Sequence, residues 1–127
     1  MTPTHRVDLN ADLGESYGLY KYGNDETLIE HLTTVNVACG YHAADPATMR
    51  TTVRLAGDHG VAVGAHISYP DFAGFGRRHM GLSEHEVRDI TVHQIGALMG
   101  FCRAEGVEMQ HVKPHGMLYL TAEVDRA

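Results

Sequence analysis

Between Asp8 and Glu15 the chain carries three carboxylates and an amide, Asp8, Asn10, Asp12 and Glu15, in Asp-Leu-Asn-Ala-Asp-Leu-Gly-Glu. A strand that only packs has no use for that density, because each buried carboxylate must find a partner or shift its pKa. Three later segments end in the same kind of chemistry: Cys39 with His42, His66 alone, and Lys113 with His115. Carboxylates and imidazoles together suit proton transfer, and a lysine beside them suits an anionic intermediate. Asp8, Asp12, His42 and Lys113 are the candidates for catalysis. Asn10, Glu15, Cys39, Arg77 and Arg78 are candidates for holding a substrate. Cys39 reads either as a reactive thiol or as a small packing residue. The paired arginines of Gly74-Phe75-Gly76-Arg77-Arg78 either wrap a ligand or pair with local acids. Of the ten histidines, His31, His59, His79, His85 and His93 fall on helices or loop tips, where capping and solvent contact explain them.

The elements that must position these residues follow from periodicity. Alternation of Val7 and Leu9 with Asp8 and Asn10 reads as a strand running into a turn. Asp25 to Leu32 reads as a short helix, and Thr34 to Ala38 as the second strand. Asp45-Pro46 opens a helix, with Asp as cap and Pro at its first position, whose apolar stripe is Met49, Val53 and Ala56 up to Gly60. Val61 to Ala65 is nearly all apolar, as a strand covered on both faces must be, and it delivers His66. Ser83-Glu84-His85-Glu86 is a capping box with Leu82 and Val87 as its staple, so a helix runs from there to Gly106. Met109 to Val112 is the fourth strand, ending in Lys113-Pro114-His115-Gly116, and Met117 to Asp125 starts another helix. Strand and helix alternate throughout. That order predicts an α/β fold with a parallel sheet, whose ligands sit at the carboxyl ends of the strands.

Composition narrows the function. The chain has 127 residues, 43% of them hydrophobic and 20% charged, which suits one packed domain. A formal charge of -6 without any Lys/Arg run argues against nucleic acid or an anionic membrane as partner. The polar start and the lack of an apolar run of roughly 18 residues predict neither signal peptide nor membrane span, so a cytoplasmic protein is expected. Two cysteines without a CxxC pattern predict no disulfide framework.

With these motifs in hand, the sequence resembles the LamB/YcsF family. The likeness rests on Asp8 to Glu15, Asn36-Val37-Ala38-Cys39-Gly40-Tyr41-His42-Ala43-Ala44-Asp45-Pro46, Val63-Gly64-Ala65-His66, Gly74 to Arg78, and His111-Val112-Lys113-Pro114-His115-Gly116. Two departures concern loop shape: Ile67-Ser68 stands where the family usually has Pro-Gly, and Ala11 where a cysteine is common.

The resemblance implies an irregular (β/α) barrel of the NodB/YdjC deacetylase type, of which residues 1–127 would be the N-terminal part. Four units are too few to close a barrel, and members of the family are longer. It also implies ATP-dependent opening of the 5-oxoproline lactam to glutamate, together with B and C subunits of a 5-oxoprolinase. Similarity to the deacetylase barrels implies Asp12, His66 and His115 as ligands of a divalent metal such as Zn, Mn, Fe or Mg. Two other readings stand beside this one: a metal-dependent amide hydrolase acting alone, and a non-catalytic subunit that captures 5-oxoproline. No Walker-type loop is present, since Gly74 to Arg78 lacks the Lys-Ser/Thr pair, so ATP is expected to be handled with a partner. A rim left open is expected to favour pairing with a second copy.

Overall fold

Four strands pair in parallel, three on the segments expected to extend and the first shifted past Val7 and Leu9 onto residues expected to turn. In the computed structural model, which describes residues 5–125, β1 (Asn10–Leu13), β2 (Thr34–Ala38), β3 (Ala62–Ile67) and β4 (Met109–Pro114) form one sheet in the order β1-β2-β3-β4. β1 begins later than the alternation suggests. Val7 and Leu9 are 76% and 53% exposed, so no core face draws them into the sheet. β3 and β4 run further than expected, which places His66 and Lys113 inside the strands rather than after them.

The helices begin where capping chemistry puts them. α1 (Asp25–Leu28) is one turn, and a 3₁₀ turn at Ile29–His31 replaces the rest of the expected helix. α2 (Pro46–Asp58) starts at Asp45, whose carboxylate accepts the Thr48 N–H at 2.8 Å. α3 (Glu84–Glu105) starts on the complete Ser83/Glu86 capping box and stops at Gly106, which takes the left-handed conformation. α4 (Gly116–Val124) follows directly on β4.

Strand pleating sends alternate residues to opposite faces. One face carries Leu13, Val35, Val37, Val63, Ala65 and Ile67, all buried, against α2 and α3, which contribute Met49, Val53, Ala56, Leu98 and Cys102. The other face carries Asn10, Asp12, Thr34, Asn36, Gly64, His66, His111 and Lys113, brought level by the register Asp12↔Asn36↔Gly64↔His111 and His66↔Lys113. On β4 the register steps from Met109 to His111, skipping Gln110, and that step turns His111 and Lys113 to the polar face. No helix among the described residues is long and apolar enough to cross a membrane.

Candidate active site

The carboxyl end of the sheet gathers Asp12, Glu15, His42, His66, Lys113 and His115. His66, one residue from the end of β3, is 1% exposed; its Nδ1 lies 3.0 Å from the Lys113 carbonyl. A carbonyl only accepts, so Nδ1 carries the proton and Nε2 carries a lone pair. That lone pair faces Asp12 Oδ2 at 3.3 Å and His115 Nδ1 at 3.0 Å. His115 caps α4, and its Nε2 lies 2.8 Å from the Phe75 carbonyl, so there the proton is on Nε2 and the lone pair on Nδ1. His42 stacks on His115 with ring centroids 3.8 Å apart, and its Nε2 lies 2.9 Å from Glu15 Oε1. The remaining nitrogen, His42 Nδ1, is buried without a partner. Glu15, His42, His66 and His115 each bring one ligand-capable atom within 4.8 Å of the others.

The loop after β3 closes over this cluster. Phe75 and Gly76 both have positive φ, 54° and 65°. For a bulky side chain that is an outlier, and it aims two successive carbonyls at the site: Phe75 O at His115 and Gly76 O at the Met117 N–H, 2.9 Å away. Gln94, fully buried on α3, pins the start of the loop by accepting the Ser68 N–H and donating to the Ser68 carbonyl. It sits four residues from both Ile90 and Leu98 on the apolar stripe, and that polar interruption was its signal in the sequence.

Charge follows from these contacts. Burial pushes the Asp12 carboxyl up, but hydrogen bonds from Lys113 (Nζ at 2.7 Å) and Asn36, with the one His66 gives when its Nε2 also carries a proton, outweigh it and hold the group well below the usual carboxylate range. Burial lowers His115 to about 4, with His42 adding to the shift, and burial also lowers His42 against the opposing pull of Glu15. Both are neutral imidazoles at pH 7.

A cavity of about 460 Å³ opens beside the cluster, lined by Asp12, His66, Arg77, Lys113, His115 and Met117 among others. His42 and Glu15 border a second cavity of about 450 Å³, walled by Tyr17, Tyr20, Tyr22, Phe72 and Phe75.

Four expected residues lie elsewhere or do other work. Asp8 precedes β1, at the amino end of the sheet, and accepts from Thr33 and Thr34 there, so it does not reach the cluster. Asn10 is midway, bonded to Thr34 and Asn36. Cys39 is 3% exposed, its thiol donates to the Val37 carbonyl at 3.2 Å, and burial pushes it up to about 12, so it is a packing residue. The two arginines divide: Arg78 pairs with Asp71, whereas Arg77 lies over the Phe75 ring and lines the first cavity. Asn36 and His111 were not among the expected site residues. Asn36 was signalled by parity, as the polar residue between two valines on the face that carries Asp12 and His66, whereas His111 carried no such signal, because the step past Gln110 breaks the alternation.

A parallel α/β sheet with a histidine and carboxylate cluster at its carboxyl edge defines the class, a protein built as one half of a (β/α) barrel would be. The LamB/YcsF family model matches residues 7–127, and the chain belongs to that family. It is 57% identical over 121 residues to the 5-oxoprolinase A subunit of Bacillus subtilis (strain 168), covering 95% of this chain and 47% of the relative. It is 60% identical over 114 residues to the 5-oxoprolinase A subunit of Pyrococcus horikoshii, covering 90% and 45%. Its fold matches the crystal structure of the lactam utilization protein from Thermus thermophilus with a TM-score of 0.91 and 53% identity, over 93% of this chain and 48% of that one. The chain thus spans about half the length of the curated relatives it matches, which fits a half-barrel.

Proposed function

We propose that the chain contributes the lactam-hydrolysing centre of an ATP-dependent 5-oxoprolinase, working with B and C subunits to open 5-oxoproline to L-glutamate. The observation that carries this reading is the Asp12–Lys113 ion pair set beside His66 and His115, in a cavity that Arg77 also lines. A five-membered lactam is an unstrained amide. Its hydrolysis needs an activated carbonyl, an oriented water and a proton for the leaving nitrogen. Phosphorylation of the amide oxygen by ATP supplies the activation, and we assign that step to the assembled subunits. Arg77 takes the substrate carboxylate, for which a guanidinium fork is suited. Asp12, held well below the usual carboxylate range, is a weak base and orients the attacking water; an imidazole lone pair of His66 or His115 accepts the proton that water sheds. Lys113 offsets the negative charge of the tetrahedral species. As the C–N bond breaks, Lys113 also gives the nitrogen its proton, and the acyl phosphate left behind is cleaved by a second water to glutamate and inorganic phosphate. His42 is less suited to that acid role, being neutral, buried, and committed through Nε2 to Glu15.

A second reading, the metal-dependent amide hydrolase, is favoured by one specific observation. The lone pairs of His66 Nε2 and His115 Nδ1 point at each other across 3.0 Å with Asp12 Oδ2 alongside, and His42 Nδ1 is orphaned nearby. Facing acceptors repel unless a proton or cation lies between them, so the donor set fits a divalent ion, with imidazoles favouring Zn, Mn or Fe over Mg. Asp12, His66 and His115 would hold it, and when bound it supplies Lewis-acid polarisation of the lactam carbonyl.

The test is glutamate release from 5-oxoproline by the full chain, with and without ATP and the B and C subunits, alongside metal analysis of the purified protein. Release that requires both ATP and partners, and that falls about 10²–10³-fold in Lys113→Ala, supports the first reading. Turnover without ATP that a chelator abolishes supports the second. Saturable binding of 5-oxoproline without turnover under any condition would overturn both in favour of a capture role.

A further inference from the structure

We infer that Asn36, backed by His111 lying over Gly64, is the positioning device that aims Asp12 at the histidine cluster; the inference rests on the site reading above. Asn36 is fully buried in the middle of β2, on the polar face, and every hydrogen-bonding group of its amide is used. Its Nδ2 donates to Asp12 Oδ1 at 2.8 Å and to Asn10 Oδ1 at 2.7 Å. Its Oδ1 accepts from Asn10 Nδ2 at 3.3 Å and lies 2.6 Å from His111 Nε2.

The polarity of this network is forced, not chosen. An ionised carboxylate only accepts, so the Asn36 atom facing Asp12 must be the amide nitrogen. Its oxygen then points the other way and requires donors, which puts a proton on His111 Nε2. Asp12 Oδ1 is thereby shared between Asn36 and Lys113 Nζ, leaving Oδ2 as the atom presented to His66 Nε2. His111 can lie where it does because β3 carries glycine at position 64: a Cβ there would run into the His111 imidazole. Gly64 has no positive φ to explain it, so the ring is its reason. A relay of four positions, Gly64, His111, Asn36 and Asp12, therefore runs from β3 and β4 through β2 to the carboxylate on β1.

The test uses the full chain and four variants, with Co²⁺ titrated alone and followed by its visible spectrum, and with melting temperature measured in parallel. Asn36→Asp keeps the shape but turns the donor facing Asp12 into an acceptor. Gly64→Ala leaves Asn36 and Asp12 unmutated and puts a methyl into the His111 ring, the group nearest that position. His111→Ala removes the donor to Asn36, and His111→Gln returns an amide N–H. We expect the first three to weaken Co²⁺ binding about 10–100-fold and to alter the spectrum, as loss of partners behind a ligand does. His111→Gln should recover most of the affinity, and the half-exposed His111 variants should melt close to the wild type. Wild-type affinity and spectrum in Gly64→Ala and His111→Ala would overturn the inference. Should the unmutated chain take up no Co²⁺, the metal reading fails separately, and crystal structures decide. An Asp12 carboxylate turned away from His66 in Gly64→Ala and His111→Ala would support positioning, and an unmoved one would overturn it.

Discussion

Gly76→Ala measures how tightly the loop after β3 closes on the histidines. Gly76 sits at φ 65°, and a Cβ built there meets Ser68 Oγ, His115 Cδ2 at 2.9 Å and His42 Cβ at 3.0 Å. Two costs follow. Placing an L-residue in the left-handed region costs roughly 1–2 kcal/mol. Forcing a methyl into a packed interior costs roughly 1–3 kcal/mol more. Ser68 cannot simply swing away, because it is buried and its hydroxyl donates to the Tyr69 carbonyl. The expected total is about 2–5 kcal/mol, a large part of the roughly 5–15 kcal/mol that holds a domain together. Gly106→Ala isolates the backbone share. Gly106 has φ 69° but nothing within 4 Å of its Cβ position, so only about 1–2 kcal/mol is expected. Urea denaturation of both variants with a common slope gives the two free energies directly. Equal losses in Gly76→Ala and Gly106→Ala would refute the claim that the His42–His115 stack is packed against the loop.

Three further outcomes are expected. Arg78 holds the Asp71 carboxyl down to about 2, below the ordinary carboxylate value of about 3.9, so this group contributes stability above pH 4 that is lost as pH falls towards 2; Asp71→Asn should flatten the acid limb of melting temperature against pH, and an unchanged limb would show that the pair is not felt. Gln94→Leu leaves the buried Ser68 N–H and carbonyl without partners and should cost about 2–6 kcal/mol in urea, counted as two stranded groups; a loss under about 0.5 kcal/mol would mean water or a shifted loop satisfies them. Cys39, buried and pushed up to about 12, should react with a thiol reagent only as fast as the chain opens, so its modification should accelerate with urea; rapid modification of the native chain would contradict its burial.

Much of the fold was legible because its signals are local. Asp45-Pro46, the Ser83/Glu86 box and the Thr34 to Ala38 alternation each depend on residues within a turn of one another, and each marks an element in the structure. Less local expectations needed correction. Val7 and Leu9 alternate like a strand but bury nothing, so β1 starts at Asn10 and Asp8 is left at the far end of the sheet. The 3₁₀ turn at Ile29–His31 ends a helix that periodicity alone would extend.

By itself the sequence determined that carboxylates, histidines and a lysine recur at strand ends, and that a parallel sheet would bring those ends to one edge. Which of them meet was decided by register and by the loop. The step past Gln110 turns His111 and Lys113 towards Asn36 and Asp12, whereas uninterrupted alternation from Met109 would have put that apolar residue on their face. The left-handed pair Phe75 and Gly76 fixes which nitrogen of His115 carries the proton, and through it which lone pairs face one another. Arg77 and Arg78, indistinguishable as neighbours in the chain, separate because one reaches the cavity and the other reaches Asp71. Residue type and spacing set what chemistry is available. Contacts between residues distant in the chain, His115 with Phe75, His111 with Asn36, Lys113 with Asp12, depend on how the strands align, and no local pattern encodes that alignment.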